Sequence, residues 1–288
     1  MGVQSLLDRL YAARSPLHLA NDPLSFCHRY SDPADQEVAA VIAAAFAYGG
    51  IKIILRTLES IFAELGPSPR SYVENINPGK ALQTFSRFKH RFNDGRDLVA
   101  LLWGIRSMIS DAGSVNAFFL RFHDAAAQDV TNSLNGYSAA VLALDYRPVF
   151  GDIPAPSRSY FPFLFPAPAA GSACKRLCMF LRWVVRAADG IDLGIWQGVS
   201  PSQLVIPVDT HISRICSYLR FTTRSSADWR MALEITAALR RLDPNDPVKY
   251  DFSLAHLGIS EGCNGSDRLR CLSCAICDIC PQSGSLAR

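Results

Sequence analysis

A short polar segment in the last third of the chain combines residue types that support acid–base chemistry. Positions 206–211 have the sequence Ile-Pro-Val-Asp-Thr-His and are followed by an amphipathic run. An aspartate between an extended Pro-Val pair and a helical run is typical of a helix N-cap, where backbone N–H groups and the helix dipole keep the carboxylate ionised and rigid. Asp209 is therefore expected to be either an ordinary helix cap or a catalytic carboxylate.

Cysteines form a second group of residues suited to chemistry. Five of the nine lie in the last 26 residues, at positions 263, 271, 274, 277 and 280. In a reducing compartment, close Cys-x-x-Cys spacing indicates a metal or cluster site rather than disulfides. Four thiolates hold either an iron–sulfur cluster or a structural zinc ion, so the spacing alone leaves both open. The other four cysteines lie in apolar segments and are expected in the core.

Amine nucleophiles are scarce in this chain. Only five of the 29 basic side chains are lysines, at positions 52, 80, 89, 175 and 249, and the other 24 are arginines. Chemistry that needs a nucleophilic amine therefore has five candidates. The arginine bias suits a nucleic-acid partner because the guanidinium fork binds phosphate bidentately, although GC-rich codon usage produces the same bias.

The polar segment and the cysteines occur in an order that is known from one enzyme superfamily. Asp209 is followed by an Asp-Phe-Ser-Leu-Ala-His-Leu-Gly segment at 251–258 and then by Cys263-x7-Cys271-x2-Cys274-x5-Cys280. This order resembles the endonuclease III-like branch of the helix-hairpin-helix/Gly-Pro-Asp DNA glycosylases. In that branch a Val-Asp-Thr-His segment carries the catalytic aspartate, and a Cys-x6-Cys-x2-Cys-x5-Cys loop binds a [4Fe–4S] cluster. The specific matches extend from Pro207 to Pro281.

The resemblance implies roles for the residues that match it. Asp209 corresponds to the catalytic aspartate, and the metal ligands correspond to Cys263, Cys271, Cys274 and Cys280. The implied cofactor is a [4Fe–4S] cluster, with zinc as the alternative. Two features depart from the family pattern, because the first cysteine gap is one residue longer and Cys277 is a fifth, surplus thiol.

The expected nucleophile does not stand where the endonuclease III-like pattern has it. Relatives carry a lysine shortly before the aspartate, just after a Leu-Pro-Gly-Val-Gly-type hairpin, but the corresponding position here is Ile191. The nearest substitute is a small-residue turn containing Gly171 and Ser172 that leads into Lys175. The wider separation between positions 175 and 209 looks more like the archaeal 8-oxoguanine glycosylase branch. Lys249 is the rival nucleophile, and a chain without a catalytic lysine is the third possibility.

A bifunctional glycosylase requires a neutral amine to attack the sugar C1′ of an extruded nucleotide. Lysine suits this role because partial burial and a neighbouring cation lower the pKa of an amine. Ser172 is expected to cap the helix that begins there, and backbone amides near Gly171 are expected to hold a phosphate. Predicted DNA contacts also include Arg176, His211 and Arg214, for which packing or a solvated face is the alternative.

The elements that position these residues are predicted to be helices. Apolar residues recur with helical spacing over 35–65, with a break at Gly49-Gly50, and over 97–110 and 172–184. The segment Tyr146–Gly171 has six prolines, and four of its aromatic residues crowd together at 160–165. It is expected to be a loop whose rings either pack or stack on a base. The predicted fold is all-α and two-lobed. Segment 1–34 joins the second lobe, 35–188 form the helical lobe, 189–262 form the second lobe and 263–281 form the cysteine loop.

Composition sets outer limits on function. The chain has 288 residues, 49% of them hydrophobic, and a net charge of +3 that permits nucleic-acid binding without requiring it. The longest apolar stretch, Val38–Tyr48, is far shorter than the roughly 20 residues that span a bilayer, and no signal peptide is recognised, so a cytoplasmic protein is expected. The expected partner is double-stranded DNA with a damaged base, such as an oxidised purine, without a membrane or an obligate protein partner. The alternatives are a non-catalytic DNA-binding protein of the same fold and an unrelated helical protein with a zinc or redox site.

Overall fold

The computed structural model describes residues 2–13, 16–152, 159–259, 261–264 and 266–281. Within them the predicted all-α class is confirmed, because the strands are confined to one two-stranded hairpin. Residues 153–158 of the predicted loop Tyr146–Gly171 lie outside the described part. No helix of the described residues is both long and apolar enough to cross a membrane.

The described residues form fourteen α-helices and one hairpin of two short strands. Short 3-10 helices lie between them at Pro16–Asn21, Pro23–Arg29, Phe161–Leu164, Pro168–Ala170 and Pro201–Gln203. The α-helices and strands are α1 (Val3–Ala12), α2 (Pro33–Phe46), α3 (Ile51–Leu65), α4 (Pro69–Glu74), α5 (Pro78–Thr84), β1 (Lys89–His90), β2 (Asn93–Asp94), α6 (Gly95–Ala112), α7 (Val115–Leu120), α8 (Thr131–Leu142), α9 (Arg147–Phe150), α10 (Lys175–Val185), α11 (Thr210–Tyr218), α12 (Trp229–Arg240), α13 (Asp251–Ile259) and α14 (Arg268–Ser273).

Helix α2 is the central element of the core. Residues 38–47 are each at most 6% exposed, and the helix packs most extensively against the 3-10 helix Pro23–Arg29 and against α10. Its many alanines allow neighbouring elements to approach closely on all sides. The predicted break at Gly49-Gly50 is confirmed: Gly49 has a φ of 101°, which favours glycine, and it separates α2 from α3.

Glu37 on α2 shows how the core accommodates a buried charge. Its side chain accepts hydrogen bonds from the backbone N–H groups of Val115 and Asn116, at 3.1 and 2.8 Å, and from Trp196 Nε1 at 2.8 Å. A carboxylate is stabilised by the N–H groups at a helix start, which here is the start of α7. A residue type that is rarely buried thereby fixes α7 and Trp196 to α2.

Arg182 on α10 and Arg186, the C-cap residue that directly follows this helix, form the main polar network of the interior. Arg182 donates to Asp192 and, at 2.5 Å, to Asp251 on α13. Arg186 is paired with Asp189, Asp192 and Asp246. Both arginines are at most 5% exposed, so their charges must be compensated inside the protein. The network therefore fixes α10 against α13 and against the segment 189–192.

The start of α10 differs from the prediction. Ser172 is not the N-cap: the helix begins at Lys175, and the cap position is held by Cys174 in a left-handed conformation with φ of 48°. Ser172 Oγ instead accepts a hydrogen bond from the Cys174 N–H at 3.1 Å. Positive φ is uncommon for cysteine, so sequence preferences could not locate this helix start.

The N-terminal helix contacts the segment that was predicted to form the second lobe. Tyr11 donates a hydrogen bond to Asp189 at 2.6 Å, and Tyr250 donates to Asp8 at 2.7 Å. The buried apolar residues nevertheless form one continuous cluster from Leu7 to Ile276. The division into two lobes at 188/189 therefore stays a prediction.

Helices α11 and α13 approach each other closely where a glycine faces a histidine. A Cβ atom on Gly258 would lie 2.2 Å from His211 Nδ1 and 2.8 Å from His211 Cβ. The second of these atoms is next to the backbone, so rotation of the ring alone does not relieve the overlap. The glycine of the Leu-Gly pair is therefore required for α11 to pack against α13.

This contact predicts that Gly258→Ala destabilises the protein by about 1–3 kcal/mol, because overpacking outweighs the better helix propensity of alanine. Urea unfolding followed by circular dichroism measures the change. Gly79→Ala is the matched control, since this exposed helical position has only an ordinary 3.4 Å contact with Asn77. Equal midpoints for the two variants would contradict the proposed packing constraint.

Candidate functional site

The structure brings Lys175 and Asp209 together in one cleft. Lys175 Nζ lies 3.5 Å from Asp209 Oδ2, although the two residues are distant along the chain. The cleft encloses about 430 Å³ and is bounded by the Gly49-Gly50 turn, α10, α11 and α13. The two side chains are 37% and 18% exposed, so both are accessible from the cleft. The pair predicted to be catalytic therefore faces a common space.

Asp209 occupies the predicted helix N-cap. Its Oδ1 accepts hydrogen bonds from the backbone N–H groups of His211 at 2.9 Å and Ile212 at 2.8 Å. The cap therefore uses Oδ1, while Oδ2 is the oxygen that lies near Lys175. One carboxylate accordingly combines the structural role and the candidate chemical role that the sequence left as alternatives.

Lys249, the rival nucleophile, is placed elsewhere and is held by acids. Its Nζ lies 2.8 Å from Asp243 Oδ2 and 3.0 Å from Asp8 Oδ1. Partial burial alone would lower its pKa, but hydrogen bonds to these two carboxylates raise the pKa of Lys249 above its usual value. An ammonium group held in this way is a poor nucleophile. Of the five lysines, all within the described residues, Lys175 is the one that lines the cleft.

The cleft also contains a buried carboxylate that the sequence prediction missed. Asp251 is 4% exposed, and burial raises its pKa to about 6, while its ion pair with Arg182 opposes this shift. The nearby charge of Asp209 raises the pKa of Asp251 further. Asp251 is therefore a group that exchanges a proton near neutral pH beside the Lys175–Asp209 pair. One sequence feature could have predicted such a carboxylate. Arg182 and Arg186 are four residues apart in an otherwise apolar segment, and buried arginines require buried acidic partners.

Arg176 does not fit the DNA contact predicted for it. It is 7% exposed and donates hydrogen bonds to the carbonyl oxygens of Ala45 and Phe163. Its guanidinium group also lies 4.3 Å from the Phe163 ring centroid and 5.1 Å from that of Tyr48. These contacts turn the charge inward, so Arg176 fastens α10 to its neighbours instead of facing a phosphate.

The turn before α10 is partly committed to internal hydrogen bonds. Gly171 is exposed, but its N–H donates to the Pro168 carbonyl at 2.8 Å and its carbonyl accepts from Trp229. Ser172 forms a β-bridge with Asp228. The Gly171 amide is therefore not free to bind the predicted phosphate, and the turn is held against the start of α12.

His211 and Arg214 connect α11 to the cysteine segment. The His211 ring lies against Gly258, and its Nδ1 is 3.2 Å from Arg214 Nη2. Arg214 Nη2 also donates to the carbonyl oxygen of Cys263. These contacts give both residues an internal role, and their predicted DNA contacts stay predictions.

The five C-terminal cysteines line a single cavity of about 190 Å³, together with Tyr218, Leu257 and Ile276 among others. Charges from Cys263 and Cys280 contribute to the raised pKa of both Cys271 and Cys274, after burial as the largest cause. The pKa of Cys277 is raised first by burial and then by Asp278, which accepts a hydrogen bond from the Cys277 thiol at 3.5 Å and adds its own negative charge. Two of the predicted ligands thus act on the other two, whereas the neighbour that acts on Cys277 is Asp278.

No three cysteine, histidine, aspartate or glutamate side chains of the described residues come together closely enough to hold a single metal ion. Tetrahedral zinc requires thiolate sulfurs within roughly 4 Å of one another, since each Zn–S bond is about 2.3 Å. In the described residues the five thiols therefore line one cavity without forming a preformed site for a single ion.

The sequence model of one family matches residues 22–260, which is most of the chain. The chain belongs to this family, which is described as protein of unknown function (DUF2400). The matched residues contain Lys175, Asp209 and Asp251 and end before the cysteine segment begins. Comparison with curated proteins and with solved structures found no match.

The raised pKa of Asp251 predicts a pH-dependent contribution to stability. The folded protein holds the Asp251 proton up to a pH of about 6, whereas the unfolded chain releases it near pH 4. Wild type therefore loses stability relative to Asp251→Asn as the pH rises from about 4 to 6, by up to about 3 kcal/mol.

Urea unfolding of both proteins between about pH 4 and pH 7 measures this difference. Asp145→Asn is the control, because Arg147 lowers the pKa of the exposed Asp145 carboxyl to about 2, below the tested range. The difference in free energy of unfolding between that variant and wild type should be nearly constant above about pH 5. A constant offset for Asp251→Asn as well would show that Asp251 is ionised throughout.

Proposed function

We propose that the protein is a DNA glycosylase with lyase activity that removes a damaged base, with an oxidised purine as the preferred substrate class. The observation that carries this proposal is the 3.5 Å approach of Lys175 Nζ to Asp209 Oδ2 in an open cleft. The amine and the carboxylate that the resemblance requires are thus within reach of one bound sugar. An extruded nucleotide is the substrate form that such a cleft accepts.

Asp209 accepts a proton from the Lys175 ammonium group, and the freed amine forms a bond to C1′. The bond between C1′ and the base breaks with its electrons leaving on the base, and the base takes up the proton from Asp209, which as a carboxylate again stabilises the positive charge on the sugar. A proton then moves from the lysine nitrogen to the ring oxygen as the bond between C1′ and that oxygen breaks, which gives a protonated Schiff base. Water finally removes a C2′ proton, and the electrons of that C–H bond form the C2′–C3′ double bond and expel the 3′-phosphate.

Asp251 extends this assignment. It lies in the same cleft, and its pKa of about 6 allows it to take up and release a proton under the reaction conditions. Arg182 holds its carboxylate in place at 2.5 Å. We assign Asp251 the role of positioning and proton exchange behind Asp209, while the bond-forming atom belongs to Lys175.

Borohydride trapping on a duplex that contains 8-oxoguanine tests the nucleophile. Wild type is expected to give a covalent protein–DNA adduct, and Lys175→Gln is expected to give none because the attacking amine is gone. Asp209→Asn should lower the trapping rate by about 100-fold or more, since the charge that stabilises the sugar cation is lost.

Lys249→Gln is the matched control, because it removes a lysine that is engaged by Asp8 and Asp243. Its adduct yield should equal that of wild type once the folded fraction is equalised by circular dichroism. An adduct that survives in Lys175→Gln would reject Lys175 as the nucleophile. No adduct with wild type, combined with tight duplex binding, would favour the non-catalytic DNA-binding alternative.

We further propose that Cys263, Cys271, Cys274 and Cys280 hold a [4Fe–4S] cluster. The cavity that the C-terminal cysteines share supports a cluster, and the influence of Cys263 and Cys280 on Cys271 and Cys274 supports the choice of these four ligands. When bound, the cluster would cross-link the C-terminal segment and stabilise it against α11 and α13. It takes no part in the bond changes assigned to Lys175.

Metal analysis of anaerobically purified protein tests the ligand set. About four irons and four sulfides per chain are expected for wild type and for Cys277→Ser, while Cys274→Ser should lose most of the iron. Both substitutions replace one sulfur by oxygen, so they differ only in the predicted ligand role. Stoichiometric zinc in place of iron, or loss of iron in Cys277→Ser alone, would contradict the proposal.

A further inference from the structure

An exposed aromatic surface lies beside the cleft. Phe92, Tyr160 and Phe163 are 46%, 56% and 41% exposed and are the aromatic members among the exposed large hydrophobic side chains of the described residues. Phe92 and Tyr160 are stacked, with ring centroids 5.4 Å apart and planes inclined by 28°. Phe163 lies edge-on to Phe92 at 6.2 Å. We name this surface the aromatic platform.

Four cations on or next to the hairpin β1–β2 in sequence have no carboxylate partner among the described residues. Arg87, Lys89, Arg91 and Arg96 are all exposed, and none forms an ion pair with a carboxylate in the described part of the chain. The nearby Asp94 is used as the N-cap of α6. The guanidinium group of Arg91 lies 5.4 Å from the Phe92 ring centroid. Aromatic rings beside cations that have no carboxylate partner fit a nucleic-acid strand, because bases stack on the rings and phosphates pair with the cations.

The platform is held rigidly from beneath. His90 and Asn93, both 0% exposed, fasten the hairpin β1–β2. Burial lowers the pKa of His90, so the ring is neutral: its Nε2 donates to the Tyr48 carbonyl at 2.9 Å and its Nδ1 accepts from Thr57. Asn93 Nδ2 donates to the Tyr160 carbonyl at 3.0 Å, which joins the hairpin that carries Phe92 to the segment that carries Tyr160 and Phe163.

Arg91, at the tip of the hairpin, has a strained backbone and lies against a residue that lines the cleft. Arg91 has a φ of 53°, in the region that favours glycine, and strained positions persist where neighbours fix them and are often functional. Its side chain lies across Gly49, since a Cβ there would be 3.1 Å from Arg91 Cδ. Gly49 also borders the cleft of Lys175 and Asp209. The platform and the cleft are therefore adjoining parts of one surface.

We infer that the aromatic platform binds an unstacked nucleobase of the DNA strand that lies across the cleft, with Lys89 and Arg91 contacting the flanking phosphates. This inference rests on the proposed function in that DNA is the partner, but not on catalysis. Of the four aromatic residues at 160–165, Phe161 and Phe165 are buried packing residues, so Tyr160 and Phe163 are the ones available to a base.

Fluorescence anisotropy with a labelled single-stranded oligonucleotide of about 12 nucleotides tests the platform in a Lys175→Gln background, which prevents turnover. Phe92→Ala and Tyr160→Ala should each weaken binding by about 5- to 150-fold at fixed salt, with an unchanged salt dependence, because stacking carries no charge. Lys89→Gln should instead reduce the slope of log K against log salt by about 0.7. Phe92→Tyr should bind like the parent.

Lys80→Gln is the charge control, because Lys80 is an exposed lysine on α5 away from the hairpin sequence, and its salt slope should equal that of the parent. Unchanged affinity in Phe92→Ala and Tyr160→Ala would overturn the inference. A difference in oligomeric state between these variants and their parent in gel filtration would also overturn it, because the surface would then be a contact between copies of the chain. Trapping by wild type combined with unchanged platform variants would reject the platform alone. Failed trapping combined with Phe92-dependent binding would reject the glycosylase proposal alone.

Discussion

Two buried arginines impose the constraint on which the rest of this structure depends. Arg182 in the last turn of α10 and Arg186 directly after it bring positive charge into the interior, where an uncompensated charge would cost several kcal/mol. Their carboxylate partners come from the segment 189–192, from Asp246 and from Asp251. Because the arginines are one helical turn apart, the partners must approach the same face of α10. Electrostatic compensation thereby fixes how the C-terminal third of the chain lies on the central helices.

The geometry of the cleft follows from this constraint through two contacts. The Arg182–Asp251 ion pair sets the start of α13 against α10, and Gly258 near the other end of α13 receives the His211 ring of α11. Asp209 caps α11, so its position is determined by these contacts, whereas Lys175 is fixed at the start of α10 itself. Two residues that are distant in sequence are thus brought to a distance of 3.5 Å in space.

Local chemistry explains which features the sequence could predict. The break between α2 and α3 follows from Gly49-Gly50, and the Asp209 cap follows from residues within three positions of it. The burial of Arg176 depends on Tyr48 and Phe163, which are distant in sequence, so an arginine beside Lys175 could only be expected to face solvent. The start of α10 after Cys174 was not predicted for another reason, because cysteine rarely adopts the left-handed backbone conformation that it has here. Predictions succeeded where common local preferences decide the conformation, and they failed where tertiary contacts or an uncommon backbone conformation decide it.

The relation between the cysteine segment and the cleft separates two kinds of role. The family match ends at residue 260, so the cleft and the aromatic platform lie inside the shared part and the five cysteines lie outside it. The segment is nevertheless joined to α11, because Arg214 binds the Cys263 carbonyl and the His211 ring together. A bound cluster would therefore restrain the same helix that Asp209 caps. In the proposed function, the cysteine segment therefore supports the carboxylate, while recognition and bond breaking are assigned to residues of the shared part.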